Sequence, residues 1–506
     1  MKIIGRIMSR HTTSQLLFPL FLLTLALVAY RTILNNTLIG DDFALASIAG
    51  RLSIIDIWQL CYSLHDFVRP VPLITWWVQF KLFGFEGMPS HLINVSLHAI
   101  NAYLIYWFLF RLGAHRMSAV VVALLFVLTP IGPEAVTWSA ARFDLMALMF
   151  VLLAMGLYWL SLRKHSKTAF AISMVATLLA LFSKENAMIL AVLFPAIEVL
   201  YSGNNFESNG SDVAGREGQQ RLAAPLRRFY GPAIRLSIFF LIFASNLALR
   251  YAILGRLGGY ENMPKFGKPE LVPTLVSMST VISPLSSFEF SRKVILGLAI
   301  YTGLLGVTAL ALVLWHWRRV NNAIRRLYLL MVVLLFVSLA PIYQLFFMMG
   351  FGHRLEWSRS LYFSTFCFLA LLVLGLLEFG WQNQKWQVGS TLALLVLLPV
   401  YYVGITHNNR PWERSAAINY SIPLQTQSLL PQPPPNAKLY FKNVPTWHGG
   451  AYIFSSGLKV AIQAEYERED LKVRWVDPEK TTLDPEDGFL FDYDMESGIL
   501  ILTKEP

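Results

Sequence analysis

The sequence predicts an all-α polytopic membrane protein of about 11 transmembrane helices, followed by a small β-rich domain. Of its 506 residues, 55% are hydrophobic and only 14% are charged, whereas a soluble protein of this size carries about a quarter charged residues. The apolar residues form blocks close to the length that a bilayer requires, instead of a stripe with the helical period. Beyond residue 405 the hydropathy falls, and strand-length segments separated by turn signals begin.

The apolar blocks predict where the chain crosses the membrane. They lie near residues 14–31, 92–110, 118–131, 145–162, 168–183, 187–201, 233–254, 294–315, 327–348, 361–379 and 387–404. We therefore predict a transmembrane domain over residues 1–404, a Pro-rich linker over 405–436, and a small extracytoplasmic domain, α/β or β-rich, over 437–506. The segments expected to form its strands are KLYFKNV, AYIFSSG, LKVAIQA, LKVRWV and GILILTK.

The distribution of basic residues predicts the orientation of the chain. The formal net charge is +11, and Lys and Arg concentrate in the loops near residues 111–116, 163–167, 216–228 and 316–326. The positive-inside rule makes the side of these loops cytoplasmic, and an odd number of spans then places the C-terminus outside. A basic chain is also typical of nucleic-acid binding, but no basic stripe with interleaved aromatic residues lies outside the loops. We therefore expect no nucleic-acid partner.

Ionisable and polar residues from distant segments collect on the predicted outer face of the membrane. Because such groups are costly near hydrocarbon, they are a functional-site hypothesis by default. The set consists of Asp41, Asp42, Arg69, His91, Glu134, Arg142, Asp144, Lys184, Glu185, His353, Arg354, Glu356, Arg359 and Tyr362.

The chemistry of this set favours group transfer at a phosphate. One of the two adjacent acids, Asp41 and Asp42, can act as a general base on an acceptor, because partial burial raises a carboxyl pKa towards the working pH. The cations Lys184, Arg142 and Arg354 can stabilise the negative charge that develops on a phosphate leaving group. The combination of acids and cations fits transfer of a group from a lipid phosphate to a hydroxyl or amine. Membrane lipid is a further expected partner.

The same residues also have structural interpretations. Either acid of the pair can cap a helix that begins near Phe43, or pair with Arg69 or Arg142. Lys184 can pair with a neighbouring acid. His91 shares one helix face with Asn94, His98 and Asn101, and such a polar stripe favours hydrogen bonds between helices inside the bundle.

Four stretches of the sequence also resemble a known family. They are the Asp pair after the first span, the segment RPVPLITWWVQFKLFGFEGMPSHLINVSLHAINAYLIYWFLFRLG, the segment TPIGPEAVTWSAARFDLMALMFVLLAMGLY, and LLALFSKENAMIL. Together they resemble the GT-C superfamily of integral membrane glycosyltransferases, in particular the transmembrane O-mannosyltransferases with tetratricopeptide repeats and their bacterial relatives. The motif WSRSLYF is similar to the R-x-L-Y turn of that family. Relatives usually have His where this chain has Gly132.

The resemblance implies a polyprenyl-phosphate-linked sugar as donor, an extracytoplasmic active site and an inverting single displacement. It implies Asp41 as the general base and Asp42 as the second acid, and Lys184 as a ligand of the donor phosphate. We add Arg142, Arg354 and Arg359 to that phosphate site. The residues assigned to substrate binding are Arg69, His91, Glu134, Asp144, Glu185, His353, Glu356 and Tyr362.

Several points stay open in the sequence. The acceptor is a protein or a glycan, and a transporter or flippase of lipid-linked sugars that forms no glycosidic bond is the alternative function. A membrane scaffold that displays the C-terminal domain is a further alternative. Cys61 and Cys367 form no CxxC motif, and we predict neither a metal nor a cofactor. The short cytoplasmic loops favour a bacterial inner (plasma) membrane, with the active site and the C-terminus facing the periplasm; a eukaryotic endoplasmic reticulum membrane is the alternative location.

Overall fold

The computed structural model describes residues 17–56, 67–202, 223–256, 279–349, 354–380, 384–454, 457–476 and 488–505. Its α-helices are α1 (Leu17–Ala29), α2 (Asp41–Arg51), α3 (Pro70–Phe83), α4 (Gly87–Arg111), α5 (Arg116–Val127), α6 (Gly132–Thr137), α7 (Arg142–Lys164), α8 (Lys167–Leu181), α9 (Leu190–Tyr201), α10 (Ala223–Leu254), α11 (Arg292–His316), α12 (Asn322–Met349), α13 (Tyr362–Leu377), α14 (Gln384–Asn408), α15 (Arg410–Leu429) and α16 (Leu458–Glu465). Short 3-10 helices lie at Arg31–Ile33, Ile54–Asp56, Ser139–Ala141, Glu185–Ile189 and Ser358–Leu361.

The helices confirm a polytopic, mostly helical membrane protein. Within the described ranges, 7 helical stretches are long and apolar enough to cross a bilayer, and 3 shorter apolar helices accompany them. These elements coincide with most of the predicted apolar blocks. The number of about 11 spans stays a prediction, because several of the helices are shorter than a full crossing requires.

Burial separates the central helices from those that face lipid. The most apolar windows of the stretches Ser139–Lys164 and Ser358–Leu377 are 72% and 83% buried, whereas those of Gly231–Leu254 and α11 are 17% buried. On α11, Leu304, Val307 and Leu314 point away from the protein. Lipid tails are as apolar as these side chains, so such a surface is stable in a membrane.

The C-terminal region forms a small α/β domain. Its main sheet has the strand order β4-β1-β5-β6, in which β1 pairs in parallel with β4 and β5, and β5 pairs antiparallel with β6. The strands are β1 (Lys438–Lys442), β2 (Trp447–His448), β3 (Ala451–Tyr452), β4 (Lys472–Val476), β5 (Phe489–Asp494) and β6 (Ile499–Lys504). The expected strand-containing C-terminal domain is thereby confirmed.

One segment expected to be a strand is a helix. LKVAIQA lies in α16, where Leu458, Ala461 and Ile462 are buried at positions i, i+3 and i+4. A parallel pair of strands needs a crossover connection, and α16 supplies it between β1 and β4. The strand expected in AYIFSSG is also short, since only Ala451–Tyr452 pairs with β2.

Most of the segment 405–436 is helical as well. The helix α15 occupies Arg410–Leu429, and Pro423 lies inside it. This helix binds the C-terminal domain directly: Gln425 accepts a 2.7 Å hydrogen bond from Leu500 N, and Tyr466 Oη donates to the carbonyl of Leu430 at 2.7 Å. The three-part division of the chain stays a prediction, but α15 joins the two domains as a packed element.

The acid-pair turn and the C-terminal domain share one hydrophobic core. Ile39 and Phe43 belong to the same buried cluster as Phe441, Phe454 and Ile462. A separate, larger cluster fills the helical bundle. The C-terminal domain therefore packs on the outer loop that carries the two aspartates.

The close contact between α13 and α11 gives a first prediction. A Cβ atom at Gly375 would lie 2.8 Å from Ala309 Cβ and 3.3 Å from its backbone, so Gly375→Leu should force the helices apart. Overpacking of this kind costs about 1–3 kcal/mol. We expect a lower midpoint of thermal unfolding for the variant in detergent micelles. The matched control is Gly306→Leu on α11, where a Cβ meets no atom within 4 Å; equal unfolding midpoints for the two variants would contradict the prediction.

Candidate functional site

The two acids lie at the start of α2, after a sharp turn. Gly40 has φ 55°, a left-handed conformation that suits glycine, and the helix begins at Asp41. Asp42 is fully buried, and its carboxylate accepts hydrogen bonds from Ile39 N at 3.1 Å and Ala140 N at 2.6 Å. Asp42 therefore ties the first outer loop to the 3-10 helix Ser139–Ala141, and neither acid acts as the N-cap.

The environments of the two acids differ. Burial raises the pKa of Asp42 to about 7, although its two backbone N–H partners oppose this shift. Asp41 is only partly buried, and its charge acts on both Asp42 and Tyr452. Asp41 is thus the acid with access to solvent, while Asp42 is enclosed.

Lys184 lies within a cluster of charges. Its Nζ contacts Asp144 Oδ1 at 2.5 Å, and both side chains are more than four-fifths buried. Burial lowers the pKa of Lys184, and the nearby charges of Arg69 and Arg359 lower it further against the opposing effect of Asp144. Three cations predicted from separate segments therefore approach one another.

Glu185, the next residue, bridges two arginines. Arg69 donates to its Oε2 from Nε at 3.0 Å and from Nη2 at 2.5 Å, and Arg250 donates to Oε1 at 2.7 Å. Burial disfavours the charge on Glu185, but the two guanidinium groups outweigh burial and hold its pKa at about 2. Glu185 stays ionised at any physiological pH and fixes Arg69 beside Lys184.

Arg359 and Glu134 form the next ion pair. The Arg359 guanidinium donates to Glu134 Oε1, while the backbone N of Arg359 donates to Oε2 at 2.9 Å. Burial raises the pKa of Glu134, and the charge of Arg359 opposes that shift. Tyr452 Oη accepts a 3.0 Å hydrogen bond from Arg359, and the guanidinium lies 4.7 Å from the Trp138 ring and 4.5 Å from the Trp357 ring. Arg359 thus occupies an aromatic box.

Arg142 takes a structural position. It is fully buried and donates to Asn94 Oδ1 at 3.1 Å, Thr75 Oγ1 at 3.2 Å and Gln79 Oε1 at 2.6 Å. Its guanidinium lies 4.7 Å from the Trp76 ring. These contacts join α3, α4 and α7, so Arg142 holds three helices together. Its predicted role at the donor phosphate stays a prediction.

The polar stripe of α4 also contributes to packing. The ring of His98 bonds to Tyr362 Oη at 2.6 Å, and Asn101 donates to the same oxygen at 3.5 Å. Tyr362 is therefore enclosed between helices. His91 is fully buried, and its ring nitrogens make no hydrogen bond among the described residues, although the carbonyl groups of Asn36, Thr37 and Thr137 lie near them.

Two further predicted residues, Arg354 and Glu356, are at least partly exposed. Arg354 is exposed, and its carbonyl accepts a 3.5 Å hydrogen bond from Ser286 Oγ. Glu356 is half-buried. His353 lies outside the described residues. At Gly132, a Cβ atom would lie 2.3 Å from Tyr30 Oη, so any larger residue there requires the Tyr30 side chain to move.

Two residues of the site were absent from the sequence prediction. Arg250 is fully buried on α10 and binds Glu185, Asn246 and two backbone carbonyls. A cation inside a predicted span requires a partner, so this signal was present in the sequence. Tyr452 comes from the C-terminal domain, and nothing in its surrounding sequence indicates that it reaches Arg359.

The cations form one electrostatic cluster, and the C-terminal domain links it to the acid-pair turn. The charges of Arg69 and Arg359 act on Lys184, and Arg359 donates a hydrogen bond to Tyr452 of the domain that packs on that turn. The cluster can attract an anion, because Lys184, Arg69 and Arg359 converge at a place with little water, where charge interactions are strong. Each of these cations already has an acidic partner, so an incoming phosphate must share them.

The raised pKa of Asp42 predicts how stability depends on pH. The folded pKa of about 7 lies above the usual value of 3.8, so the unfolded chain ionises first. Stability from this group is full below about pH 4 and is lost as the pH rises to about 7, by up to about 1.4 kcal/mol per pH unit.

We expect Asp42→Asn, which cannot ionise, to flatten the decline of the unfolding midpoint over that range, although its absolute stability falls because one backbone N–H loses its acceptor. The measurement is thermal unfolding of both proteins as a function of pH. Parallel curves for the two proteins would contradict a buried, titrating Asp42.

The sequence of this chain is similar to that of several known proteins. The chain is 27% identical over 192 residues to protein O-mannosyl-transferase Tmtc1 of Drosophila melanogaster, a match that covers 35% of this chain and 22% of that protein. It is 33% identical over 90 residues to protein O-mannosyl-transferase TMTC3 of Mus musculus, covering 18% of this chain and 10% of that protein. The TMTC3 of Homo sapiens is 32% identical over the same length. No family model matches the chain.

Two solved structures of ArnT from Cupriavidus metallidurans also align with it. The apo structure gives a TM-score of 0.36 at 13% identity, covering 96% of this chain and 93% of that chain; the structure bound to undecaprenyl phosphate gives 0.33 at 14%, covering 94% and 92%. The chain spans about a fifth of the length of Tmtc1 and a tenth of TMTC3. These sequence matches confirm the resemblance to protein O-mannosyl-transferases.

Proposed function

We propose that this membrane protein is a glycosyltransferase that moves a sugar from a polyprenyl-phosphate-linked donor to an extracytoplasmic acceptor. One observation carries the proposal: Lys184, Arg69 and Arg359 are largely buried, ion-paired cations, and Arg359 donates to Tyr452 of the domain that packs on the turn of Asp41 and Asp42. Similarity to protein O-mannosyl-transferases supports the same class of reaction. We propose a location in a bacterial inner membrane, with the cluster and the C-terminal domain facing the periplasm.

The cations are suited to a lipid phosphate. Lys184 and Arg69 are both more than four-fifths buried, so each is poorly hydrated and gains strongly from an anionic ligand. A phosphate that bears a sugar brings its negative charge to the cluster, and that charge increases as the glycosidic bond breaks. Fixed cations stabilise the developing charge without reorganising.

Of the two acids, Asp41 acts as the general base and Asp42 positions it. Asp41 is accessible and takes the proton of the acceptor nucleophile as the nucleophile attacks the anomeric carbon. The bond between that carbon and the phosphate oxygen breaks in the same step, and polyprenyl phosphate leaves. Asp42 positions the turn that carries Asp41 through its two backbone hydrogen bonds. The proposed chemistry needs neither a metal nor a cofactor, because an acid and a set of cations supply both proton transfer and leaving-group stabilisation.

A flippase for lipid-linked sugars is the alternative, and it would also need a cationic pocket. The paired acids favour the transferase, because translocation alone requires no base beside the anomeric carbon. Formation of a new glycosidic bond by the purified protein separates the two functions.

The assignment of the base gives one prediction. Asp41→Asn should lower the transfer rate by about 10²–10⁴-fold, the usual contribution of a general base, with little change in the affinity for donor. The assay uses proteoliposomes supplied with polyprenyl-phosphate-mannose and, separately, polyprenyl-phosphate-glucose. The matched control is Asp56→Asn, an acid of the same loop whose bonds stay with Ser53. Full transfer by Asp41→Asn would eliminate Asp41 as the base.

The phosphate site gives a second prediction. Replacing Lys184 alone would leave Asp144 buried and unpaired, so the test is the double variant Lys184→Gln/Asp144→Asn, which removes both charges. A charged hydrogen bond to a phosphate contributes about 1.5–3 kcal/mol, so we expect the KM for the donor to rise by about 10-fold or more. The control is Lys472→Gln on the surface of the C-terminal domain. An unchanged donor KM in the double variant would show that the phosphate binds elsewhere.

A further inference from the structure

A cavity opens to solvent at the loop that leads to the acid pair. It has a volume of about 530 Å³, and it lies between residues 35–37 of the first outer loop, residues 85–88 before and at the start of α4, and the face of α15 that carries Glu413 and Tyr420. Pockets for small ligands usually have volumes of about 300–1,000 Å³. The cavity is therefore large enough for a small organic ligand.

The walls of this cavity differ in charge from the cationic cluster. They carry two acids, Glu86 and Glu413, and two amides, Asn35 and Asn36, and none of the residues that line the cavity is basic. The two carboxylates would repel an anionic ligand such as a phosphate, and no basic residue of the wall offsets that repulsion. A neutral or positively charged ligand fits these walls.

The polar groups match a ligand rich in hydroxyl groups. Carboxylates accept hydrogen bonds and amides both donate and accept, as vicinal hydroxyl groups require. Glu413 Oε1 and Asn36 Nδ2 are enclosed and have no hydrogen-bond partner among the described residues, so the other polar atoms of these side chains are the ones available to a ligand. Tyr420 is 62% exposed, so its ring offers a free apolar face at the edge of the cavity.

The cavity is coupled to the acid pair through a short loop. Thr37 lines the cavity, and the chain passes through Leu38 and Ile39 to the turn at Gly40, so Asp41 lies within about 14 Å of Thr37. Asn419 on α15 accepts a 3.4 Å hydrogen bond from Gly40 N. One face of α15 thus lines the cavity while the same helix holds the turn that carries Asp41.

We propose that this cavity binds the acceptor, and that the acceptor is a neutral or amine-bearing saccharide. The inference rests on the proposed glycosyltransferase function. In the step, a hydroxyl oxygen of the bound saccharide forms the new bond to the anomeric carbon of the donor, its proton passes to Asp41, and polyprenyl phosphate departs. Besides these acids and amides, Phe85, Met88 and Tyr420 line the cavity, and their apolar faces can pack on the apolar face of a sugar ring.

Ligand binding to the full-length protein in detergent micelles tests the proposal. Saturation-transfer NMR is measured with triacetylchitotriose as the neutral probe, chitotriose as the amine-bearing probe, glucose 6-phosphate as the anionic probe and a Ser/Thr-rich peptide. We expect the first two to bind and the anionic probe not to bind. Tyr420→Ala and Glu413→Gln should each weaken binding by about 10-fold, because each removes a direct contact.

The controls separate a local effect from a loss of folding. Glu496→Gln replaces an exposed carboxylate in the turn between β5 and β6 and should leave binding unchanged. Tyr420 is largely exposed, so Tyr420→Ala should also keep the unfolding midpoint of the wild type. Binding of the peptide alone, or saccharide binding that neither cavity variant alters, overturns the proposal.

Donor turnover by the wild type distinguishes this proposal from the proposed function. Release of polyprenyl phosphate from polyprenyl-phosphate-mannose or polyprenyl-phosphate-glucose shows that donor chemistry occurs whether or not a saccharide binds. If the donor is consumed and no saccharide binds, the acceptor cavity is wrong while the glycosyltransferase stands. If saccharides bind at the cavity and no donor is consumed, the role of the cavity as an acceptor site falls with the proposed function.

Discussion

The candidate site of this protein depends on the pairing of charges that water reaches poorly. A buried ion without a partner costs several kcal/mol, so each charged side chain at this depth constrains its neighbours. Glu185 holds both Arg69 and Arg250, Lys184 holds Asp144, and Glu134 holds Arg359. These pairs join residues that lie between 40 and 225 positions apart in the chain. The ion pairs therefore determine how the helices meet at the site, as well as its charge.

The C-terminal domain is part of this arrangement. Tyr452 bonds to Arg359, and its ring packs on Trp138 with a centroid distance of 4.4 Å. The backbone of the domain also approaches the acid-pair turn so closely that a Cβ at Gly457 would lie 2.1 Å from Gly40 O. The domain thus covers the site from the outside. In the proposed transfer, it limits the access of water to the place where the glycosidic bond breaks.

Two sets of residues in this protein differ in electrostatic character. The cluster around Lys184 contains largely buried cations, while the cavity beside residues 35–37 is lined by carboxylates, amides and apolar side chains and by no basic residue. The turn at Gly40 that carries Asp41 and Asp42 connects the two. In the proposed reaction, the anionic donor would bind at the cations and the neutral or amine-bearing acceptor at the cavity. Asp41, the proposed base, lies on the turn between the two.

The sequence by itself determined the class of protein and the identity of most charged residues at the site. Apolar segments of this length predict bilayer crossings, because they are poorly hydrated in water and match the thickness of the hydrocarbon layer. Acids or cations beside such segments need partners. Only the tertiary structure decided which partners these are: Arg142 turned out to bind Asn94, Thr75 and Gln79, and LKVAIQA became a helix because a parallel strand pair needed a crossover. Hydrogen bonds and ion pairs between distant segments depend on distances in space, which hydropathy along the chain does not encode.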